Sequence, residues 1–529
     1  MKERCASIPI PFKRRWKKLN NMLEGKKHLL VTLLTTGTAT LLAFAINFFV
    51  TPFITEILGV EAYGFVSLAN TFIGYAGIVT TALDSFATRY IAIEYHKGNA
   101  AKAEGYLSSL FFANLILSIG IFLIMLPLCL NPSVLLDVPP ELSSDVSYLF
   151  ILAFSNFLVL TASSSFSAAA YIKNRLDYYG VFQTLSYLVE AAFLVFVYTA
   201  FSPHTWYFGL ALFLSSIVLL FGNLYLYKRF IPELKVSLSF FSWTYVRDLF
   251  SVGVWSSINS LGNTLNSGIG LLVANVLLSS VAMGQLAIAK TFSTVFTRLY
   301  QLVSQAYYPM ILKAYSENNM GHLLNYFKQA MNCTGSIAAI MFAGFFALCP
   351  AFYSLWVPSQ DVSVLYPLTM LVMVYALVEG PVQPLYYVYA LTLKNKFPTV
   401  VTVIGGVLNV LLMIPLVTSG GLGVFGVPLV TAIVMVIISF ITNPLYMSHC
   451  LGVSPLTFYP PIVRAMTSCI VCCLVFEVTT IAINPASWIS FILAALICLV
   501  FGVVICLLIG LDSDTRNSLI SRFRRVRSR

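Results

Sequence analysis

LGVEAYGFVSLANTFIGYAGIVTTALDSFATRYIAIEYHKGN, residues 58–99, and LSSVAMGQLAIAKTFSTVFTRLYQLVSQAYYPMILKAYSENN, residues 278–319, align without a gap at an offset of 220 residues. Along that offset Leu58, Ala62, Gly64, Ala69, Thr71, Phe72, Ile91, Tyr95 and Asn99 meet Leu278, Ala282, Gly284, Ala289, Thr291, Phe292, Ile311, Tyr315 and Asn319. The chain therefore reads as two related halves. In the second copy Lys290, Thr294, Thr297, Arg298, Gln301 and Gln305 fall within an arc of about 100° when a helical residue turns about 100°. A polar stripe carrying two cations runs along an otherwise apolar helix.

The surrounding 529 residues are 59% hydrophobic and only 10% charged, with a mean hydropathy of +0.87. That composition excludes a soluble globule. The expected fold is an all-α integral membrane protein of about fourteen spans, each of roughly twenty or more residues. The seventh span is expected over Leu249 to Leu278, the eighth over Val281 to Pro309 and the tenth over Leu365 to Leu391.

The net charge of +11 reports topology rather than nucleic-acid binding, because Lys and Arg occupy alternate loops. They fill the first 28 residues, then the loops holding Arg89 and Lys97, Lys173 and Arg175, Lys228 to Arg247, Lys313 and Lys328, Lys394 and Lys396, Arg464, and the tail from Arg516. The intervening loops carry residues such as Glu56, Asp137 and Asp361 but neither Lys nor Arg. By the positive-inside rule both termini are cytoplasmic and the protein is a multi-pass component of the cell membrane.

The repeat extends beyond the opening stretch. Lys173-Asn174-Arg175 is answered by Lys394-Asn395-Lys396, and Cys129 and Cys349 differ by the same 220 residues. Spans one to six then correspond to seven to twelve, and since six is even the lobes are parallel, related by an axis along the membrane normal. The expected organisation is a basic segment at 1–28, an N-lobe at 29–228, a cytoplasmic linker at 229–248, a C-lobe at 249–448, two unpaired spans within 459–511 and a basic tail at 512–529.

Four helices carry polar stripes: Thr36, Thr40, Asn47 and Thr51 on the first span; Asn70, Thr81, Asp84, Ser85 and Thr88 on the second; Ser256, Asn259, Asn263, Asn266 and Ser267 on the seventh; and the eighth already described. Polar side chains at membrane depth face a bundle interior or a water-filled cavity. Single Ser, Thr or Asn residues serve interhelical packing about as often, but four stripes at matching depths favour one hydrophilic cavity between the lobes. Lys290 lies about 13 Å from the outer end of its span at 1.5 Å per residue, and a charge there costs at least about 2.5 to 3.5 kcal/mol. It needs a partner, either Asp84, Glu190 or Glu379, or an anionic substrate. Arg298, closer to the cytoplasm, has room to snorkel. The three acids are also candidate sites for ion coupling, and Glu379 opens a Glu-Gly-Pro-Val-Gln-Pro run in which Pro381 and Pro384 should kink the helix.

No phosphate-cradling loop for ATP, no metal-spaced His and Cys set and no soluble domain large enough for a reaction centre is visible in the sequence. Neither an enzyme nor a bound cofactor is expected. The open choices for a driving force are a proton gradient, a sodium gradient or the membrane potential.

With fourteen spans, the six-plus-six repeat, Asn47-Phe48-Phe49-Val50-Thr51-Pro52 and the turn Ile57-Leu58-Gly59-Val60-Glu61-Ala62-Tyr63-Gly64, the chain resembles the bacterial polysaccharide transporter family. These are the Wzx-like, O-antigen-type flippases of the multidrug/oligosaccharidyl-lipid/polysaccharide exporter superfamily. The resemblance implies translocation of an undecaprenyl-diphosphate-linked oligosaccharide to the outer leaflet by alternating access. It casts Lys290 and Arg298 as diphosphate ligands and Asn47, Asn70, Asn259, Asn263, Gln301 and Gln305 as cavity groups for sugar hydroxyls, with the last two spans as a groove for the lipid tail. The implied partners are the lipid-linked oligosaccharide, membrane lipids, and a polysaccharide polymerase and glycosyltransferases, with no nucleic acid. Lipid II flippases of the same superfamily carry arginines in the first span, which this chain lacks, and a cationic cavity suits cationic drugs poorly. A non-transporting scaffold of a polysaccharide assembly complex is the alternative from a different class.

Overall fold

The computed structural model describes residues 10–392, 394, 396–513 and 515–516, with backbone alone for 10–30 and 32–34. The basic side chains of the 1–28 segment, Asn395 of the second Lys-Asn turn and tail residues 517–529 lie outside the described residues. The first half contains α1 (Ile10–Leu58), α2 (Val60–His96), α3 (Ala100–Leu130), α4 (Ser143–Ile172), α5 (Leu176–Ala200) and α6 (Trp206–Phe230). The second contains α7 (Trp243–Ser267), α8 (Ile269–Leu277), α9 (Ser280–Ser316), α10 (Met320–Trp356), α11 (Val362–Val382), α12 (Tyr387–Thr392), α13 (Lys396–Thr418), α14 (Gly426–Ile437) and α15 (Asn443–Leu451). The unpaired helices α16 (Tyr459–Ile483) and α17 (Trp488–Ile505) follow, and no strand occurs among the described residues.

Twelve helical segments among the described residues are long and apolar enough to cross a membrane. The expected seventh and eighth spans, α7 with α8 and α9, are not among the twelve. They are long enough, with α9 running 37 residues, but their Asn, Ser, Thr, Lys and Arg stripes lower their hydropathy. The seventh span is also broken, with α7 ending at Ser267 and α8 starting at Ile269. In the expected tenth span the helix gives way at Val382 to a tight 3-10 turn over Gln383–Tyr386, where Pro384 removes a donor.

The repeat is visible in the backbone. α2 and α9 each run 37 residues. The turns that follow them both pass through the left-handed region, at Gly98 (φ 76°) and at its counterpart Asn318 (φ 51°). Glycine has no Cβ penalty there and asparagine tolerates it. Cys129 and Cys349 are each buried and free.

The chain divides into two compact units. One comprises Met1–Val50, Val79–Leu130 and Ser147–Val254; the other comprises Thr51–Ile78, Asn131–Val146 and Trp255–Arg529. In the first, Leu83, Ala87 and Ile91 of α2 interlock with Ala103, Leu107 and Leu110 of α3 and with Ala168, Ala169 and Ile172 of α4. In lipid, water does not drive helices together, so small residues that let backbones approach carry the packing. In the second unit α9, α10, α12, α15 and α16 share a core around Ile311, Phe327, Val388, Met447 and Ile462. There α16 and α17 pack on α10 through Cys472, Phe476, Ala494 and Cys498.

Within the second unit the first turns of α2 and α9 cross at equivalent glycines. A Cβ on Gly64 would lie 2.9 Å from the Cα of Gly284, and one on Gly284 would lie 2.2 Å from the Val60 carbonyl oxygen. Backbone cannot yield as a side-chain tip does. Gly284→Ala is therefore expected to lower stability by about 1–3 kcal/mol, the usual overpacking cost, read as an earlier thermal unfolding of purified protein. An unchanged midpoint would show that the crossing is looser than described.

Two tethers lie near this crossing in sequence. Asn275, fully buried, accepts from the Asp137 backbone N–H (2.9 Å) and donates to the Asp137 carbonyl (3.1 Å). The Asp137 carboxylate accepts from the Ser280 N–H at the start of α9 (3.0 Å), where helix N–H groups lack partners and the dipole favours an anion. Glu56 accepts from the backbone N–H (3.1 Å) and the hydroxyl (2.9 Å) of Ser359. The loops holding Asp137 and Ser359 are repeat equivalents, because 137 maps onto 357. A loop of each half thus grips a helix end of the other.

Candidate functional site

The polar stripe of α9 opens onto a cavity of about 520 Å³ inside the second unit, lined by Lys290, Thr294, Thr297, Arg298 and Gln301 from α9, Ser267 from α7, Tyr375 from α11 and Thr431 from α14. The volume lies within the range of about 300–1,000 Å³ typical of ligand pockets. Its lining contains two cations and neither Asp nor Glu.

The break in the seventh span creates the cation's resting place. Gly268 interrupts the helical ladder between α7 and α8, and the carbonyl of Ser267 accepts from Lys290 Nζ. A helix C-terminus holds a cation through its free carbonyls and its dipole. No ion pair joins Lys290 to an acid among the described residues. Beside it, Thr291 and Tyr63 share a hydrogen bond of 2.8 Å, which fixes this turn of α9 against α2.

The three acids proposed as partners sit elsewhere. Asp84 accepts from Asn114 Nδ2 (2.8 Å) and Ser164 Oγ (3.3 Å) in the first unit. Glu190, also in the first unit, is 5% exposed with Ser215 beside it. Glu379 lies in the second unit beside Tyr300 and Tyr386 and does not line the cavity, which α11 enters through Leu371, Val372, Tyr375 and Ala376.

Of the expected cavity residues, Lys290, Arg298 and Gln301 share this lining. Gln305, one turn further along α9, is exposed outside it, as are Asn70 and Asn263, while Asn259 is half-buried. Asn47 is exposed in the first unit and donates to the Ala43 carbonyl (2.9 Å). Asn266, from the seventh-span stripe, is a packing residue. It donates to the Gly262 (2.8 Å) and Thr402 (2.9 Å) carbonyls and its own carbonyl accepts from Asn409 of α13 (2.9 Å).

Sequence reading missed Tyr375, Thr431 and the Ser267 carbonyl. Thr431 is a lone hydroxyl in an apolar run, and Tyr375 looks like any aromatic in a span. The carbonyl had a usable signal, since Gly268 and Gly270 follow directly on a polar stripe, a composition that permits a helix break.

A family model described as polysaccharide biosynthesis protein matches residues 30–315. The chain belongs to this family of polysaccharide transporters. It is 28% identical over 493 residues, 93% of this chain and 97% of the relative, to the uncharacterized membrane protein EpsK of Bacillus subtilis (strain 168). Among solved structures it resembles the lipid II flippase MurJ in an inward closed conformation (TM-score 0.67, 13% identity, 92% of this chain and 100% of that one). It also resembles an inward-facing multidrug resistance MATE family transporter of the MOP superfamily (TM-score 0.60, 18% identity, 80% of this chain and 99% of that one). At such identities the likeness establishes the fold, which is the one these membrane transporters share. The family membership agrees with the resemblance read from the repeat and from the Leu58 to Gly64 turn.

Proposed function

We propose that this polysaccharide transporter family member is a flippase that carries an undecaprenyl-diphosphate-linked oligosaccharide from the inner to the outer leaflet of the cell membrane by alternating access, with both termini cytoplasmic. The observation that carries the reading is the acid-free cavity around Lys290 and Arg298. Two cations at membrane depth without an acidic partner form a site for an anion, and a diphosphate supplies it. Gln301, Thr294, Thr297 and Thr431 offer the hydroxyls and amide that sugars require, and Tyr375 offers an aromatic face.

A second cavity supports the lipid half of the substrate. It is an apolar groove of about 550 Å³ in the second unit, lined by Phe342, Phe346, Met466, Ile470 and Leu474 of α10 and α16. A polyprenyl chain lying there would keep its contacts with hydrocarbon while the head group enters the α9 cavity. Membrane lipids compete for the same groove, and the polymerase and glycosyltransferases of the assembly line are the expected neighbours.

Purified protein in proteoliposomes should move a labelled polyprenyl-diphosphate oligosaccharide into the outer leaflet, read by its access to a soluble glycan-cleaving enzyme. The same sugar on a polyprenyl monophosphate should move at least about tenfold more slowly, because one lost charge-assisted contact costs about 1.5–3 kcal/mol. Movement of neither lipid would favour a scaffold, and movement of lipid II alone would favour a peptidoglycan precursor.

A further inference from the structure

The first compact unit contains a second polar site that an anionic substrate cannot use. Asp84 of α2 accepts hydrogen bonds from Asn114 Nδ2 of α3 at 2.8 Å and Ser164 Oγ of α4 at 3.3 Å. Both are neutral, so the carboxylate's charge is left uncompensated among the described residues, in a half-buried position where it has lost part of its hydration.

Acceptors outnumber donors at this point. The single hydroxyl hydrogen of Ser164 is also within reach of the Thr161 carbonyl, at the shorter distance of 2.8 Å. When it bonds there, the hydroxyl oxygen turns a lone pair toward Asp84. Asn114 is fully buried, 0% exposed, and its Oδ1 has no hydrogen-bond partner. A bare amide oxygen in a membrane interior is disfavoured unless something positive reaches it. Rotating the amide about its last torsion exchanges Nδ2 for Oδ1 at the carboxylate. That places oxygen against oxygen and is tolerable only with a positive centre, a metal cation or a proton, between them.

We infer that Asp84, Asn114 and Ser164 form a binding site for one alkali cation of the size of sodium. The chemistry selects among cations. A hard monovalent ion takes carboxylate, amide and hydroxyl oxygens, and one carboxylate balances one positive charge, whereas oxygen sites for divalent ions usually gather several carboxylates. A proton on Asp84 bridges at most the pair of oxygens from Asp84 and the flipped Asn114 amide, whereas a cation also takes up the Ser164 hydroxyl oxygen. The site lies outside the α9 cavity and goes beyond the flippase reading, for it makes no assumption about the lipid carried. It does offer that transport a source of energy, a sodium gradient acting on helices of the first unit.

The test is sodium binding to the purified full-length protein without any lipid substrate, using radioactive sodium and the thermal unfolding midpoint in sodium chloride against choline chloride. Saturable binding of one sodium per protein, competed by lithium and accompanied by stabilisation, is expected. Asp84→Asn should abolish both signals. Asn114→Ala and Ser164→Ala should each weaken affinity by about tenfold or more, as loss of a group that holds a metal site commonly does. Glu190→Gln, an acid of the same unit outside this cluster, should bind like wild type. Wild-type protein that binds no sodium, or Asp84→Asn or Asn114→Ala protein that binds it undiminished, overturns the assignment. So does stabilisation that follows pH and ignores sodium. Should Asp84→Asn fail to fold, the Asn114 and Ser164 variants decide alone. Because transport is not measured, failure here leaves the flippase reading standing, and failure of flipping leaves the sodium site standing.

Discussion

Lys290→Ala is expected to lower flipping by about 10- to 150-fold while the purified protein unfolds at the same temperature or higher. The first number follows from losing one charge-assisted contact to phosphate, about 1.5–3 kcal/mol. The second follows from the cation's surroundings. In the resting protein Lys290 donates to the Ser267 carbonyl, and the cavity lining around it contains no acid. A half-buried charge with so little compensation costs stability, so removing it should relieve the fold while it harms transport. A structural salt bridge would behave in the opposite way, because breaking it strands an acid and lowers the unfolding temperature. Lys290→Arg, which keeps the charge, should recover part of the transport. Arg298→Ala should cost less than Lys290→Ala, since Arg298 is exposed and water already screens it. Full transport by Lys290→Ala protein would remove the residue from the mechanism.

The charge was legible because an apolar helix has few reasons to carry a lysine, and helical periodicity placed Thr294, Thr297, Arg298 and Gln301 on its face. The repeat was legible for a similar reason: backbone constraints leave marks in sequence, such as Gly64 and Gly284 where two helices cross, or Gly98 and Asn318 where the chain turns left-handed. What periodicity does not encode is the partner across the gap. Asn266 and Asn263 look alike on a helical wheel, yet one is bonded to α13 and the other is exposed. Asp84 read as a lone acid because Asn114 and Ser164 are 30 and 80 residues away. Helix breaks lay between these extremes. The prolines after Glu379 announced one, while the break at Gly268 was masked by a hydropathy profile that runs through it.

Joining Glu56→Cys to Ser359→Cys with a short bifunctional thiol reagent is expected to stop flipping altogether, and cleaving the reagent should restore it. On the proposed topology the end of α1 holding Glu56, the end of α8 holding Asn275 and the loops holding Asp137 and Ser359 all lie on the outer side of the membrane. Their contacts are reciprocal, Asp137 with Asn275 and Ser280, and Glu56 with Ser359. Each is individually modest: a carboxylate at a helix N-terminus contributes about 0.3–1 kcal/mol, up to about 2 kcal/mol where partly buried, and a neutral hydrogen bond such as those of Asn275 about 0.5–1.5 kcal/mol. Bonds of that size hold one state yet let go when substrate binding favours another, which a two-state transporter needs. On the flippase reading, an outward exit between these helix ends and loops requires them to part, because the Gly64–Gly284 crossing leaves no room even for a methyl group. The cross-linked protein should therefore still bind the diphosphate lipid from the cytoplasmic side while turning over none of it. Each single-cysteine variant treated with the same reagent serves as the control, since the native cysteines among the described residues are buried or half-buried. Undiminished flipping by fully cross-linked protein would mean that the exit path runs elsewhere, and the outer tethers would then be ordinary loop packing.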